Sequence, residues 1–464
     1  MPNAWQECDE RHCTPAGSHE SEEETNMRVS DNKHYLLDDQ GKPFFYLADT
    51  TWRFFYDTTY EEADRYMRKR KEQGFTLFMP VILSEVNPDE NDANQYGEMA
   101  LIDWDPTRPN EKFFQYVDWT IERARELGLV VGLLPTWGEF VGPQKYGKGP
   151  KCFTVENAYA YGEFLGKRYK DSPNLIWVVG GDRNPYTEDL VAIWRSMANG
   201  LRKGDEGTHL ITYHPAPEAD VDQFSCSHWL PNEEWLDFYM LQTGTKIDRP
   251  NYKYIYRDYV KTGAQKKPTL DGECRYEFSH EFFNQFPQKN PPHGRRIDAH
   301  QVRKAAYNSM LSGAAGHTYG CRCVWNFYRE GTLKTRDTDM DWRKAMDLPG
   351  AWQLRHMRSL FTKYPFYKLV PDFEGNVVTY GNGVDGTYIA AAVSEDRDFA
   401  LVYVPEAMPF KVNLDIVAGP VKVSWFDVRT GAYLTVMEGG LSGEKYILPL
   451  ENGEPDYVLV IEKL

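Results

Sequence analysis

Long hydrophobic runs and an excess of positive charge are both missing from this 464-residue chain. No apolar run approaches the roughly 20 residues that a membrane-spanning helix needs, so no membrane segment is predicted. Acidic residues outnumber basic ones, 69 to 53, for a formal net charge of -16. Because nucleic-acid affinity depends largely on Lys and Arg neutralising phosphates, this balance argues against a nucleic-acid partner.

Paired cysteine spacing is also missing. The seven cysteines are an odd number without a Cys-x-x-Cys pair, so they are interpreted mostly as free thiols, and neither a metal site nor a cofactor is predicted. No basic-then-apolar leader and no Asn-x-Ser/Thr acceptor occurs. We therefore expect a cytoplasmic protein, which would be extracellular or periplasmic if the true start differs. Residues 1–31 are acidic and patternless, which predicts a disordered tail.

Aromatic residues, by contrast, are abundant. They make up 14% of the chain, with 13 Trp and 30 Tyr. A large aromatic core explains part of this content, but flat Trp and Tyr rings also suit the apolar faces of sugar rings. The composition is therefore compatible with a carbohydrate partner, and it makes no prediction of oligomeric state.

From Phe44 onwards, short apolar runs alternate with amphipathic stretches, the pattern of βα units. Helices are predicted at 60–73, 112–127, 155–170, 188–203 and 301–311, several of them ending at a glycine. The predicted strands are the apolar runs 44–48, 75–83, 129–134, 175–179, 209–213, 238–241, 268–270 and 316–319.

Eight strands joined by helices close naturally into a (β/α)8 barrel. An open doubly wound sheet is the alternative, but no Gly-x-Gly-x-x-Gly motif follows any of these eight runs. After about residue 362 the pattern changes to short alternating strands with Gly and Asp turns, which predicts a β-sandwich-like domain. The predicted organisation is a tail over 1–31, a barrel over 32–362 and a β domain over 363–464.

Reacting groups of such barrels lie at the carboxyl ends of the strands. Several of these ends carry acids, and the two that can face each other across the barrel mouth are Asp182 after strand four and Glu273 after strand seven. Paired carboxylates about 5–5.5 Å apart are what retaining glycosidase chemistry needs, with one as acid/base and the other as nucleophile. The structural alternative for Asp182 is a helix cap or an ion pair with Arg183, and Glu273, with Asp271 beside it, could likewise be structural. Asp271 is interpreted as structural.

Other polar and aromatic residues at the strand ends are candidate substrate contacts. His214 could equally be a buried polar group satisfied by its neighbours, and each tryptophan could be rim packing. The candidate substrate-binding residues are Asp49, Trp52, Trp137, Arg183, Asn184, His214, Gln242, Tyr276, Tyr319 and Trp325.

Several of these segments resemble one known family. They are the run 45–52, the Trp-Val-Val-Gly-Gly-Asp-Arg-Asn-Pro segment over 177–185, residues 235–244, Asp-Gly-Glu over 271–273 with Tyr276 and Glu277, and 319–325. Over about residues 32–360 the chain is similar to the apiosidase-like barrels of glycoside hydrolase family 140. The resemblance implies Asp182 as acid/base, Glu273 as nucleophile, and a pectic substrate containing apiose.

The segment 425–431 resembles a small module described as collagen-binding, which we expect to pack against the barrel instead. Two positions depart from the family pattern. Thr245 follows Gln-Thr-Gly where a histidine is common, and Cys274 stands in place of a proline. These changes leave the carboxylates intact and bear on the choice of substrate.

The sequence thus predicts a retaining glycoside hydrolase acting on a plant oligosaccharide or related glycan. A non-catalytic carbohydrate-binding barrel is the alternative, in which the acids only bind sugar hydroxyls, and intact acids at both strand ends favour the enzyme. A matrix-binding protein acting through the C-terminal domain is a third interpretation, and the missing leader and glycosylation acceptors count against it.

Overall fold

The computed structural model describes residues 26–84, 93–142, 150–282, 293–332, 337–450 and 452–464. Most of the predicted tail, residues 1–25, lies outside this range. Its last residues differ from the prediction, because Arg28–Val29 pairs with Leu36–Leu37 as a short antiparallel strand. Backbone hydrogen bonding across the turn at Ser30 and the burial of Met27 order this segment.

Eight parallel strands form the core of the barrel, as predicted. In the sheet, the fifth strand of the barrel is followed by the fourth, third, second, first, eighth, seventh and sixth. The sixth strand then meets the fifth, where the amide of Asp237 donates to Ile211 O at 2.9 Å. The strands are β1 (Tyr46–Thr51), β2 (Leu77–Leu83), β3 (Val130–Thr136), β4 (Leu175–Gly180), β5 (Ile211–His214), β6 (Tyr239–Gln242), β7 (Thr269–Glu273) and β8 (Gly316–Tyr319).

Helices alternate with these strands and cover the outside of the barrel. Thr59 caps the helix that begins at Tyr60, since its hydroxyl accepts from the amide of Glu62 while the Glu62 carboxylate accepts from the amide of Thr59. Together with shorter segments at the strand ends, the helices are α1 (Phe54–Asp57), α2 (Tyr60–Glu72), α3 (Glu111–Glu126), α4 (Val155–Tyr169), α5 (Glu188–Gly204), α6 (Cys226–Trp229), α7 (Asn251–Tyr259), α8 (Ala299–Leu311), α9 (Arg322–Trp325), α10 (Trp342–Ala345) and α11 (Pro349–Lys363).

The C-terminal part consists of two antiparallel sheets, in agreement with the predicted β domain. One has six strands in the order β9-β11-β12-β17-β14-β15, and the other has three in the order β10-β13-β16. The strands are β9 (Leu369–Pro371), β10 (Val378–Tyr380), β11 (Ala390–Ser394), β12 (Phe399–Val404), β13 (Phe410–Asn413), β14 (Val421–Phe426), β15 (Tyr433–Gly439), β16 (Glu444–Ile447) and β17 (Tyr457–Lys463).

The inner strands of the six-stranded sheet are buried on both faces, whereas the edge strand β15 is largely exposed. Along β12, Leu401 and Tyr403 pack into the core shared with the barrel, whereas Ala400 and Val402 pack into the core of the domain itself. The Tyr403 ring stacks on Tyr307 of α8 with centroids 4.9 Å apart. The domain and the barrel therefore share a continuous hydrophobic interface.

A buried ion pair lies at the same interface. Arg303 of α8 donates to both carboxylate oxygens of Asp456, at 2.9 and 2.6 Å, and the Tyr403 hydroxyl donates to the same carboxylate at 3.0 Å. Removing one partner of such a pair would leave an uncompensated buried charge.

Among the described residues, the structure contains no helix that combines the length and the apolar character of a membrane span.

Candidate active site

Asp182 and Glu273 lie on opposite sides of one imidazole ring, that of His214. The amide of Asp182 donates to His214 Nδ1 at 3.3 Å, and Nε2 of the same ring lies 3.2 Å from Glu273 Oε2. Because Nδ1 accepts a hydrogen bond, a neutral His214 carries its proton on Nε2, facing the Glu273 carboxylate. The ends of β4, β5 and β7 therefore meet at one place.

The Gly-Gly-Asp motif after β4 has a backbone that most residues could not adopt. Gly180, Gly181 and Asp182 have φ values of +96°, +117° and +51°. A Cβ on Gly180 would lie 2.5 Å from His214 O, and one on Gly181 would lie 2.8 Å from the Trp137 ring. Both glycines are thus required for the close approach of β3, β4 and β5.

Gly138, after β3, completes this packing. Its amide donates to Gly181 O at 3.0 Å, and a Cβ there would lie 2.6 Å from both Gly181 O and the Arg183 side chain. Arg183 Nη1 donates to Asp182 O at 2.6 Å and lies 3.4 Å from Asp182 Oδ2, and Nη2 lies 4.0 Å from Glu139 Oε2. The sequence-predicted ion pair between Asp182 and Arg183 is therefore present, within the site.

Tyr276 and Trp52 pack beside Glu273. Trp52 Nε1 donates to the Tyr276 hydroxyl at 2.9 Å. Burial raises the pKa of Tyr276, and the charge of Glu273 raises it further. Tyr276 is therefore a neutral hydrogen-bond donor next to a carboxylate.

An aromatic surface forms the base of the site. The Trp52 ring lies 5.1 Å from that of Trp137 and 5.2 Å from that of His214, and the Trp137 and His214 rings are 5.8 Å apart. All three side chains are buried. The structure thus brings eight of the predicted residues to one place: Trp52, Trp137, Asp182, Arg183, His214, Gln242, Glu273 and Tyr276.

Several buried polar atoms here have no aligned hydrogen-bond partner within the part of the chain that the structure describes. They are His214 Nε2, Glu273 Oε2 and Gln242 Oε1, and Gln242 is the register partner of Glu273 on β6. The close His214–Glu273 contact is out of hydrogen-bond alignment. Buried polar groups are rarely left in this state, and exceptions of this kind are typical of binding sites.

Other predicted residues have different environments. The side-chain amide of Asn184 donates to Ala216 O at 3.1 Å and accepts from the amide of Ala216 at 2.9 Å, so it joins the loops after β4 and β5. Trp325 is partly buried, and Arg53 N bonds Trp325 O at 3.0 Å. The indole Nε1 of Trp325 has no hydrogen-bond partner among the described residues.

Asp49 and Tyr319 were predicted to contact substrate, and the structure does not place them in the site. Asp49 Oδ2 accepts from Arg70 Nε and from the Tyr66 hydroxyl of α2, both at 2.6 Å. Burial raises the pKa of Asp49, and the Arg70 charge opposes that rise. The Tyr319 hydroxyl donates to Glu277 Oε2 at 2.7 Å. Both side chains leave their strands towards the helices, because side chains alternate along a strand.

Asp271 has the structural environment that was predicted for it. It is fully buried, and it accepts from the hydroxyl and the amide of Thr243 at 2.5 and 3.3 Å. Burial raises its pKa to about 7, and the Thr243 hydrogen bonds oppose that rise. Asp271 thus ties β7 to the end of β6.

Sequence reasoning missed Arg322. Its guanidinium lies 5.9 Å from the centre of the Tyr276 ring and 5.4 Å from that of Trp325, and the side chain is buried. A cation over two aromatic faces joins these two predicted residues. The signal was its position in the Gly-Cys-Arg-Cys segment directly after β8.

Comparison with known proteins now decides the family. The profile described as "Apiosidase-like, catalytic domain" matches residues 30–368. The chain belongs to this family. A second profile, "Putative collagen-binding domain of a collagenase", matches residues 370–462. The resemblance to apiosidase-like barrels, and that of the C-terminal part to the collagen-binding-type module, are therefore confirmed.

Solved structures agree with this assignment. A protein titled "Glycoside hydrolase" is 26% identical with a TM-score of 0.83, covering 95% of this chain and 97% of that one. A glycoside hydrolase family 5 protein from Bacteroides vulgatus ATCC 8482 is 27% identical with a TM-score of 0.83, covering 94% and 93%. Comparison with curated proteins found no match. The predicted enzyme class is confirmed: the protein is a glycoside hydrolase, with a carbohydrate substrate.

Proposed function

We propose that this apiosidase-like enzyme hydrolyses its substrate by double displacement with retention of configuration. Glu273 attacks the anomeric carbon while Asp182 protonates the departing glycosidic oxygen. A glycosyl ester on Glu273 results. Asp182 then removes a proton from water, which attacks the anomeric carbon and releases Glu273.

The observation that carries this proposal is the position of His214 between the two acids. Its Nδ1 holds the Asp182 amide at 3.3 Å, and its Nε2 is 3.2 Å from the Glu273 carboxylate. A small rotation of either side chain would bring Nε2–H into line with the carboxylate oxygen and hold the nucleophile in place. One neutral side chain would thus orient the nucleophile and hold the backbone of the acid/base residue. Retention further requires that the carboxyl oxygens of Asp182 and Glu273 lie about 5–5.5 Å apart.

The different exposures of the two acids agree with these roles. The Asp182 side chain is 32% exposed and that of Glu273 is 12% exposed. An acid/base residue must exchange protons with a leaving group and then with water, so access to solvent suits Asp182. A nucleophile reacts with a carbon atom held on an aromatic surface, so the more enclosed position suits Glu273.

For the substrate, we propose a pectic oligosaccharide or polysaccharide that carries apiose branches. The family match and the aromatic surface formed by Trp52 and Trp137 support a sugar substrate at this site. Thr245 and Cys274, which depart from the family pattern, lie in the loops after β6 and β7, next to Gln242 and Glu273. These loops would therefore determine how substrate choice differs within the family.

The test is a screen of aryl glycosides and pectic oligosaccharides, with proton NMR of the first-formed anomer. The proposal expects the released sugar to appear first in the configuration of the substrate. First appearance of the opposite anomer would exclude double displacement. Cleavage of other glycosides but of no apiose-containing substrate would overturn the proposed substrate and leave the mechanism standing. Glu273→Gln is the control for contaminating activity.

A further inference from the structure

The C-terminal domain packs along the side of the barrel, against α8 and the end of α11, and part of it reaches the catalytic end. In a barrel of this kind, helix N-termini and strand carboxyl ends lie on the same side. The domain contacts the N-terminal parts of two helices. Asp385 pairs with Lys253 of α7 at 2.9 Å, and His300 of α8 lies with Nε2 2.8 Å from Pro405 O.

The segment 381–387 makes this contact. It directly follows β10, and the amide of Asp385 donates to the hydroxyl of Tyr252, the second residue of α7. The Tyr252 ring stacks on Tyr388 with centroids 3.9 Å apart. The three-stranded sheet that contains β10 is therefore joined, through its own loop, to the edge of the barrel mouth.

The three-stranded sheet has one buried face and one exposed face. Val378, Phe410 and Ile447 of its strands pack into the core of the domain. The opposite face presents Tyr380 and Tyr446, which are 61% and 52% exposed. These are among the most exposed large side chains among the described residues.

Tyr380 and Tyr446 are aligned across this face. Tyr380 pairs in register with Lys411 of the central strand, and Lys411 pairs in register with Tyr446 of the other outer strand. Directly paired residues project to the same side of a sheet. Two strand spacings separate the tyrosines by about 9–10 Å, comparable with the length of a disaccharide. Lys411, with its ammonium 3.6 Å from the Glu444 carboxylate, lies between the two rings.

We propose that Tyr380, Lys411 and Tyr446 form a platform that binds the polysaccharide chain from which the barrel removes sugars. The two aromatic faces would stack on sugar rings of one chain, while Lys411 and Glu444 would bind hydroxyls between them. The occupant to which we commit is a pectin-type polymer, and this choice alone depends on the proposed function. Because the sheet is attached to the barrel mouth, a polysaccharide bound to it would have a raised local concentration of cleavable branches near the active site.

Cross-strand neighbours such as these also stabilise a sheet, and a purely structural role makes a different prediction. It predicts changed unfolding on replacement, without a change in affinity for polysaccharide. Phenylalanine separates the roles further, because it keeps an aromatic face and loses only the hydroxyl. If the platform binds polysaccharide, Tyr→Phe variants should still bind it and Tyr→Ala variants should not.

The experiment uses affinity electrophoresis and measures how far soluble pectin in a native gel retards each protein. All proteins carry Glu273→Gln, so that the polymer stays intact. The double variant Tyr380→Ala/Tyr446→Ala should lose about tenfold or more in affinity, and the matching double Phe variant should keep it. Leu434→Ala, an equally exposed apolar change on the edge strand β15, is the matched control and should bind normally. Thermal unfolding of each variant checks that the domain remains folded.

Activity in the otherwise native chain completes the test. The double Ala variant should hydrolyse small aryl glycosides at the unaltered rate and pectin several-fold more slowly at low polymer concentration. Equal retardation of the double Ala variant and its parent would overturn the platform, as would the absence of any retardation of the parent. If the parent binds pectin through the tyrosines but releases no sugar from it, the platform stands and the proposed substrate fails.

Discussion

The two acids of the site stand on very different backbones. Asp182 ends a run of three residues in the left-handed region, where side chains are rarely tolerated. Glu273 belongs to β7 itself and pairs in register with Gln242 of β6, after a small irregularity at Asp271. One acid is therefore held by the close packing of neighbouring loops, and the other is held by regular strand pairing.

Two carboxylates of one site are therefore held in place by different kinds of contact. The position of Asp182 depends on the residues that surround Gly180 and Gly181, including Trp137 and His214. The position of Glu273 depends on the hydrogen bonding of β7, with Asp271 and Thr243 tying it to β6. Substitutions should therefore affect the two acids in different ways, and the following predictions test this.

The largest effect is expected for Glu273→Gln. The change keeps the shape of the side chain but removes the nucleophile, so kcat should fall by several orders of magnitude on every substrate, whatever its leaving group. Steady-state kinetics on two aryl glycosides of different leaving-group acidity measure this. Glu395→Gln, a change at an exposed position of the C-terminal domain, is the control. Turnover within tenfold of the parent would remove Glu273 from the mechanism.

Asp182→Ala should have a smaller effect that depends on the leaving group. Loss of general acid catalysis costs about 10²–10⁴-fold for poor leaving groups and much less for activated aryl groups. Azide should restore part of the rate with an activated substrate, because it replaces the water that Asp182 would activate. The product to detect by NMR is a glycosyl azide of retained configuration. Equal losses on both kinds of substrate, without azide rescue, would contradict the acid/base role.

Two glycine substitutions compare the supports directly. A Cβ at Gly181, where φ is +117°, would lie 2.8 Å from the Trp137 ring and 3.0 Å from Gly138 N. Gly181→Ala should therefore displace Asp182 and lower kcat by about 10²-fold, the effect of a misplacement of roughly 1 Å.

Gly272→Ala is the matched change beside Glu273. Its Cβ would lie 2.3 Å from Met240 Cγ, within a flexible side chain that can move. We expect a loss of stability of about 1–3 kcal/mol with a smaller change in kcat than for Gly181→Ala. Kinetics and urea unfolding on both variants make the comparison, and a greater kcat loss for Gly272→Ala would reverse it.

The prediction with the smallest expected effect on catalysis concerns the pH dependence of stability through Asp271. Burial raises its pKa from 3.8 to about 7 in the folded protein. Between these values the folded state holds a proton that the unfolded state loses, so this residue lowers stability as pH rises through that window. Asp271→Asn lacks the effect.

The stability of the Asn variant relative to the parent should therefore increase from pH 4 to pH 7 by up to a few kcal/mol and then level off. Urea unfolding of both proteins at pH 5 and pH 8 measures the change. The amide can still accept from Thr243 N and donate to the Thr243 hydroxyl, so packing is retained. The same stability difference at both pH values would show that Asp271 is already ionised throughout.

Much of this architecture could be predicted from the chain alone. The cap at Thr59 and the glycines that follow the predicted helices mark where helices begin and end, and the apolar runs between them became β1 to β8. The acids at the ends of β4 and β7 follow from the order of these elements, since strand ends of a parallel barrel lie on one side. The family motifs cover the same segments.

The directions of side chains were the part that sequence could not decide. Asp49 and Tyr319 stand at strand ends just as Glu273 does, yet their side chains point to helix α2 and to Glu277. Alternation along a strand separates inward from outward positions, but which set is inward depends on how the barrel closes. The contact of the Tyr46 ring with that of Phe238, across the barrel at 6.5 Å, shows which side of β1 faces inward.

Local periodicity and local turns predict the order of strands and helices, the change to a β domain after α11 and the two acids at strand ends. The position of His214 between Asp182 and Glu273, and the burial of the inner strands of the six-stranded sheet on both faces, are visible only in the folded molecule. Both facts depend on contacts between segments far apart in the chain. Such contacts form only when the barrel closes and the domain packs on α8.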